Sequence, residues 1–139
     1  MNSKDKLKEY RESGQTFCPY LFLHYHSDTD KATKLCCHTT RSVNGRQIPF
    51  DGSIYNTLRK KMMSGERLNY CTRCYEAEDN GFTSLRQRCI DDIVTADRSD
   101  LLMSQVEKYD AGEKIMTLWY DLLISNNCNL TCIMCGPQY

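Results

Sequence analysis

The chain lacks net charge. Its 139 residues carry 18 basic and 18 acidic side chains, a formal charge of zero with histidine neutral. The two signs are mixed along the sequence, which argues against binding nucleic acid or a membrane surface through bulk charge. A long apolar run is missing too. No stretch approaches the about 18 apolar residues expected of a membrane-spanning helix. Residues 1–6 (MNSKDK) have no apolar core of a secretory signal. There is no internal repeat and no low-complexity tract. These absences leave an expectation of one domain, or one domain and a fragment, in the cytoplasm and with no membrane partner.

What the chain has instead is cysteine. Nine cysteines is a high and odd count. Without a secretory signal, such thiols are expected to ligate a metal or a cluster in a reducing cytosol rather than to pair as disulfides. Eight of the nine fall into two groups. The first is Cys128, Cys132 and Cys135, at spacings that fit on one tight loop. Three thiolates from one loop can hold three irons of a 4Fe–4S cluster, which takes four when fully ligated. The remaining iron then keeps an open position, and open positions are where metal chemistry happens. The bland reading of this loop is half of a zinc knuckle or a redox pair. Three cysteines on a short loop after an apolar strand favour the cluster.

The second group is Cys18, Cys36, Cys37, Cys71 and Cys74. Cys71-x2-Cys74 is a half-site, because two intervening residues let both thiolates face one ion or cluster. Cys18 and the Cys36/Cys37 pair would supply the other ligands. Neighbours on a strand point to opposite faces, so one of Cys36 and Cys37 is expected to be a ligand and the other a small buried hydrophobe. Iron–sulfur and zinc both need these thiolates, and the spacing alone leaves the two open.

The local patterns place these cysteines on elements. Residues 1–14 predict a short, weakly amphipathic helix or a frayed arm, with Leu7 and Tyr10 on one face and Gly14 as a stop. The aromatic run from Phe17 to Tyr25 predicts a strand. A turn over 27–30 leads to a returning strand that carries Cys36 and Cys37. Asn44-Gly45 is a hairpin-turn signal. A helix is predicted from an N-cap at Ser53, with Ile54, Leu58 and Met62 on one face and Gly65 closing it. Cys71 to Cys74 open a further helix ending near Gly81. Helices from Ser84, with Leu85, Cys89 and Ile93 inward, and from about Asp100, with Leu102 and Val106 inward, complete the set. Residues 115–125 alternate loosely and predict a strand that feeds the Cys128 loop.

Other residues are read more plainly. His24 and His26 share one strand face. They are candidate ligands or proton carriers, but exposed or hydrogen-bonded strand histidines are commoner. Cys89 is expected in the core. Met62 and Met63 are expected to pack, as is Trp119. The run Arg59-Lys60-Lys61 reads as a solvated helix face.

The Cys128-x3-Cys132-x2-Cys135 loop resembles the signature of radical S-adenosylmethionine (radical SAM) enzymes. Its flanks, residues 122–127 before and Gly136-Pro137 after, fit as well. Met134 stands where that family usually has an aromatic residue. The resemblance implies a 4Fe–4S cluster on Cys128, Cys132 and Cys135, with S-adenosylmethionine bound through its amino and carboxylate groups and cleaved to a 5′-deoxyadenosyl radical. Residues 17–76 resemble the SPASM/Twitch auxiliary-cluster domain: a Cys-Pro-Tyr lead into a strand, Leu35-Cys36-Cys37, the segment 53–66, then CTRCYE over 71–76. Ser84 and Arg86 fit the continuation. This implies an auxiliary iron–sulfur cluster, with zinc as the alternative, and the family pattern favours Cys36 over Cys37. In many such proteins the auxiliary domain follows the barrel; here it precedes the radical SAM loop.

The fold expected is therefore α+β. A small cysteine-rich domain with a β-hairpin and several helices would be followed by the first strand and cluster loop of a radical SAM barrel. Residues 1–16 would form an N-terminal arm or helix, 17–112 the auxiliary domain, and 113–139 the start of the core. A full eight-unit barrel takes about 250 residues. The chain is thus expected to be the N-terminal portion of a radical SAM enzyme, and inactive alone. Its expected partners are a separately encoded barrel and a peptide or protein substrate. The alternative is a non-catalytic zinc or iron–sulfur module acting as an adaptor or electron carrier.

Overall fold

A computed structural model describes residues 1–39 and 41–124. The described residues form a small α+β domain with six helices and one three-stranded mixed sheet. None of these helices is long and apolar enough to cross a membrane.

Helix α1 (Ser3–Arg11) is capped by Asn2, whose side chain accepts from the Asp5 N–H at 2.9 Å. Such a bond satisfies one of the orphan donors at a helix start. Leu7 is fully buried in the main core, and the Tyr10 ring stacks on Phe17 at 4.3 Å. Helix α1 packs on α5 (Leu85–Thr95) and α6 (Ser99–Asp110), so it belongs to the core of the domain rather than hanging off it as an arm.

The aromatic run after Cys18 is where the sequence reading departs most from the structure. Residues expected as one strand form a short helix, α2 (Tyr20–Leu23), followed by strand β1 (His24–Ser27). Pro19 is the N-cap, with φ −57° and ψ −32°, and its carbonyl accepts from Phe22 and Leu23. Proline is preset for a helix start. Tyr20, Leu21 and Phe22 are all buried. Three successive buried positions suit a turn enclosed on all sides, and a half-buried strand cannot provide them.

Strand β1 is central in the sheet. It pairs antiparallel with β2 (Thr33–Lys34) and parallel with β3 (Trp119–Leu122), in the order β2-β1-β3. The crossover between the parallel strands holds α3 (Ser53–Met63), α4 (Thr72–Asp79), α5 and α6. Asn44 and Gly45 take φ of 58° and 61°, the left-handed pair of a tight turn. That turn seats on Thr33: Val43 N–H donates to the Thr33 carbonyl and Thr33 N–H to the Arg46 carbonyl.

Helix α3 starts one residue earlier than expected, with Gly52 as its N-cap. Its most buried side chains are Tyr55, Arg59 and Met62, with Ile54 and Leu58 partly buried beside them. Arg59 is not part of a solvated face; it is fully buried. Its Nε donates to the Leu21 carbonyl at 2.8 Å and its Nη1 to Asn56 at 2.7 Å. Its guanidinium lies 4.4 Å from the Phe50 ring centre and 5.0 Å from that of Tyr55. Guanidinium is weakly hydrated and stacks on aromatic faces, which lysine does less well. Helix α5 carries a full capping box: Gln87 N–H donates to Ser84 Oγ, and Ser84 N–H to Gln87 Oε1, both at 3.1 Å.

Strand β3 is shorter than the predicted 115–125, because Ile115 turns into the core instead. The strand pairs in parallel with β1. Its side chains are open: Trp119 is 50%, Tyr120 61% and Leu122 53% exposed.

Candidate metal centre

Four cysteines from three separate segments line one cavity. Cys18 comes from the turn before α2, Cys36 from the turn after β2, Cys71 from the N-cap of α4 and Cys74 from its first turn. Cys18, Cys36 and Cys74 are buried and Cys71 is half-buried. All are free thiols. Cys37 is exposed and does not line the cavity. Cys89 is buried in the core and lines a different cavity.

Local backbone explains this division. Strand β2 ends at Lys34, so Cys36 and Cys37 lie in a turn rather than on a strand. The Cys36 carbonyl accepts from Thr39 N–H at 3.2 Å and from Thr39 Oγ1 at 2.8 Å, which closes that turn. The turn sends Cys36 inward and Cys37 to solvent; the expectation that the second cysteine would be a small buried hydrophobe fails for this reason. On α4, Cys74 N–H donates to the Cys71 carbonyl at 3.1 Å, so both thiols sit at a helix N-terminus. Such a terminus favours thiolate over thiol.

Burial works the other way. It pushes the Cys18 thiol well above its ordinary value, Cys36 up to about 11 and Cys71 up to about 12. Neighbouring thiols add to this: Cys71 and Cys36 raise Cys18, and Cys36 and Cys74 raise Cys71. Four such groups repel one another when ionised, and a bound cation reverses that relation. The Tyr20 N–H opposes the shift at Cys18, the His38 and Thr39 N–H groups at Cys36, and the Tyr75 hydroxyl at Cys71. Hydrogen bonds of this kind favour the ionised sulfur.

A buried polar network backs the cavity. Arg86 lines it and is almost wholly enclosed. Its Nε donates to Glu78 Oε1 at 2.9 Å, and Ser84 Oγ donates to the same oxygen at 2.6 Å. Arg86 also donates to the carbonyls of Phe17 at 3.2 Å and Glu12 at 3.1 Å. One side chain thus ties the chain just before Cys18 to the helix that carries Cys71 and Cys74. Nothing in the sequence pattern singles out Glu78 for this role, because it is one of three acids in α4, with Glu76 and Asp79, and has no periodic signature of its own.

The free volume of the cavity that the four thiols help to line is about 20 Å³, room for about one water molecule. Four sulfurs around one tetrahedral ion lie about 3.8 Å apart, given a zinc–sulfur bond of about 2.3 Å. Among the described residues, the group with three ligand atoms all within 4.8 Å of one another is His24, His26 and Asp121. The cysteine ring is therefore wider than a closed single-ion site. Four thiols are a donor set that fits either zinc or an iron–sulfur cluster.

His24 and His26 are both buried, and His26 Nδ1 lies 3.0 Å from Asp121. Trp119 packs its ring against His24 at 4.9 Å and Tyr20 at 5.5 Å while staying half exposed. Cys128, Cys132 and Cys135 lie outside the described residues. No protein-family profile matches the chain, and no curated protein or solved structure does.

Proposed function

We propose that Cys18, Cys36, Cys71 and Cys74 hold an auxiliary iron–sulfur cluster, and that the chain is the N-terminal portion of a radical SAM enzyme. The observation that carries this reading is the gathering of four thiols from three distant segments on one cavity. The cluster supplies electron storage or a binding position for substrate when bound. The chain's own residues hold it: Cys18, Cys36, Cys71 and Cys74 supply the sulfurs, and Arg86 and Glu78 fix the surrounding segments. Cys128, Cys132 and Cys135 are assigned by their spacing to the S-adenosylmethionine-cleaving 4Fe–4S cluster.

The reading also draws support from β3. It is an edge of the sheet among the described residues, and its apolar side chains are exposed. Exposed apolar edges invite a further strand or a partner. A barrel, on this chain's continuation or separately encoded, is the partner proposed here, with a peptide or protein as substrate and the reducing cytoplasm as location. The second reading is a zinc module, favoured by the cavity's free volume of about 20 Å³, which suits one ion once the sulfurs draw in around it.

Anaerobic reconstitution with iron and sulfide separates them. Iron and acid-labile sulfide should be found in excess of zinc, and Cys71→Ser should remove the auxiliary share. Stoichiometric zinc without sulfide, in protein made under iron-replete anaerobic conditions, would select the zinc module instead. The isolated chain should give no multiple turnovers of S-adenosylmethionine to 5′-deoxyadenosine. Positioning by a barrel lowers such barriers by about 7–11 kcal/mol.

A further inference from the structure

We propose that His24, His26 and Asp121 form a second metal site, a two-histidine, one-carboxylate centre for a divalent transition-metal ion such as Zn2+ or Fe2+. One ligand atom from each residue lies within 4.8 Å of the others. The sheet register creates this arrangement. His24 and His26 are two residues apart on β1 and so share a face. Asp121 on the parallel strand β3 is the register partner of His26, and Trp119 that of His24. Three potential ligands and one indole therefore occupy adjoining positions on one side of the sheet.

A second observation points to a ligand. His24 is 1% exposed, and its Nδ1 has no hydrogen-bond partner. A buried ring nitrogen without a partner is unusual and unfavourable. The hydrogen bond between His26 and Asp121 accounts for those two side chains as a plain strand-to-strand clasp, but it leaves the His24 nitrogen unexplained. A cation shared by all three accounts for it. Two neutral imidazoles and one carboxylate suit zinc, iron or manganese rather than calcium or magnesium. Rings packed around His24, with Trp119 at 4.9 Å and Tyr20 at 5.0 Å, fix its orientation, as surrounding contacts do at metal-bound histidines. Three protein ligands leave a coordination position for water or an added ligand. Of the three ligands, His24 lines an open cavity of about 440 Å³, together with Trp119.

The site shares no ligand with the cysteine cavity, so each stands or falls separately. The test uses the full chain with its cysteine centre already filled, titrated with Co2+ under anaerobic conditions and followed by absorption. One further equivalent should bind and give d–d bands without the thiolate-to-cobalt charge transfer that cysteine ligation produces. Asp121→Asn and His24→Gln should each weaken that binding at least tenfold, and Cys37→Ser should leave it unchanged. Asp121 is 42% exposed, so its variant keeps the fold. In the unaltered chain, Co2+ should slow amide exchange across 24–27 and 119–122, since the ion bridges β1 and β3. No further equivalent of Co2+, thiolate charge transfer from that equivalent, unchanged affinity in D121N, or unchanged exchange would each overturn the proposal.

Discussion

Arg86 and Glu78 meet as an ion pair inside the domain, with both side chains 2% exposed and the Arg86 Nε 2.9 Å from Glu78 Oε1. The pair also reaches outward. Arg86 donates to the carbonyls of Phe17 and Glu12, and Glu78 accepts from Ser84. Helix α4, helix α5 and the segment before Cys18 therefore share one polar junction beside the cysteine cavity.

Breaking that junction should be severe. Arg86→Met leaves a buried carboxylate without its cation and several carbonyls without a donor. Removing one partner of a buried pair costs about 3–5 kcal/mol. Chemical denaturation of Arg86→Met and Glu78→Gln should show losses of this size. A double variant that replaces both by apolar residues should lose less than the sum of the singles, because neither is then left unpaired.

The cysteines should sort by position. Cys18→Ser, Cys36→Ser, Cys71→Ser and Cys74→Ser should each lower the metal retained at the four-thiol cavity, read as iron, sulfide and zinc per chain. Cys37→Ser should retain the full amount, as its thiol is exposed. Equal losses in the Cys37 variant would show that the turn after β2 is read wrongly.

Leu7→Ala tests the place of α1. Leu7 is fully buried among core residues, and truncating a buried leucine costs about 2–5 kcal/mol. Thermal or urea unfolding of the whole chain should register that loss in one transition. A variant as stable as the parent would mean that α1 is an arm after all.

The pair Arg67–Asp79 carries a pH signature. Arg67 donates twice to Asp79, at 2.6 Å each, and holds its carboxyl below the ordinary value of 3.8. A carboxylate with a depressed folded-state pKa adds stability above the unfolded value and loses it as pH falls through the lower folded value. The pair is on the surface, so its contribution is small and shrinks with salt. Carbon-detected titration should place Asp79 below 3.8 in the parent and near it in Arg67→Met.

The sequence alone determined the longer helices and the cysteine spacing. Helices α3, α5 and α6 follow from apolar spacing, and the Ser84 cap and the Cys71-x2-Cys74 half-site are local patterns of a few residues. Local signals survive folding because neighbours in sequence stay neighbours in space. The elements it missed depend on partners far away. The run after Pro19 could serve as strand or helix, and burial on all sides chose a helix for Tyr20–Leu23. Arg59 looked solvated because charge was counted, whereas its stack on Phe50 and its bond to Leu21 exist only after packing. Cys36 and Cys37 were separable in principle, but a turn, not strand alternation, decided which faces inward. The His24–His26–Asp121 group spans 97 positions in sequence numbering and appears only when β3 aligns in parallel with β1. No pattern within either strand announces that pairing; the helical crossover between them returns β3 alongside β1 in the same direction, and the strand ladder then brings Asp121 opposite His26.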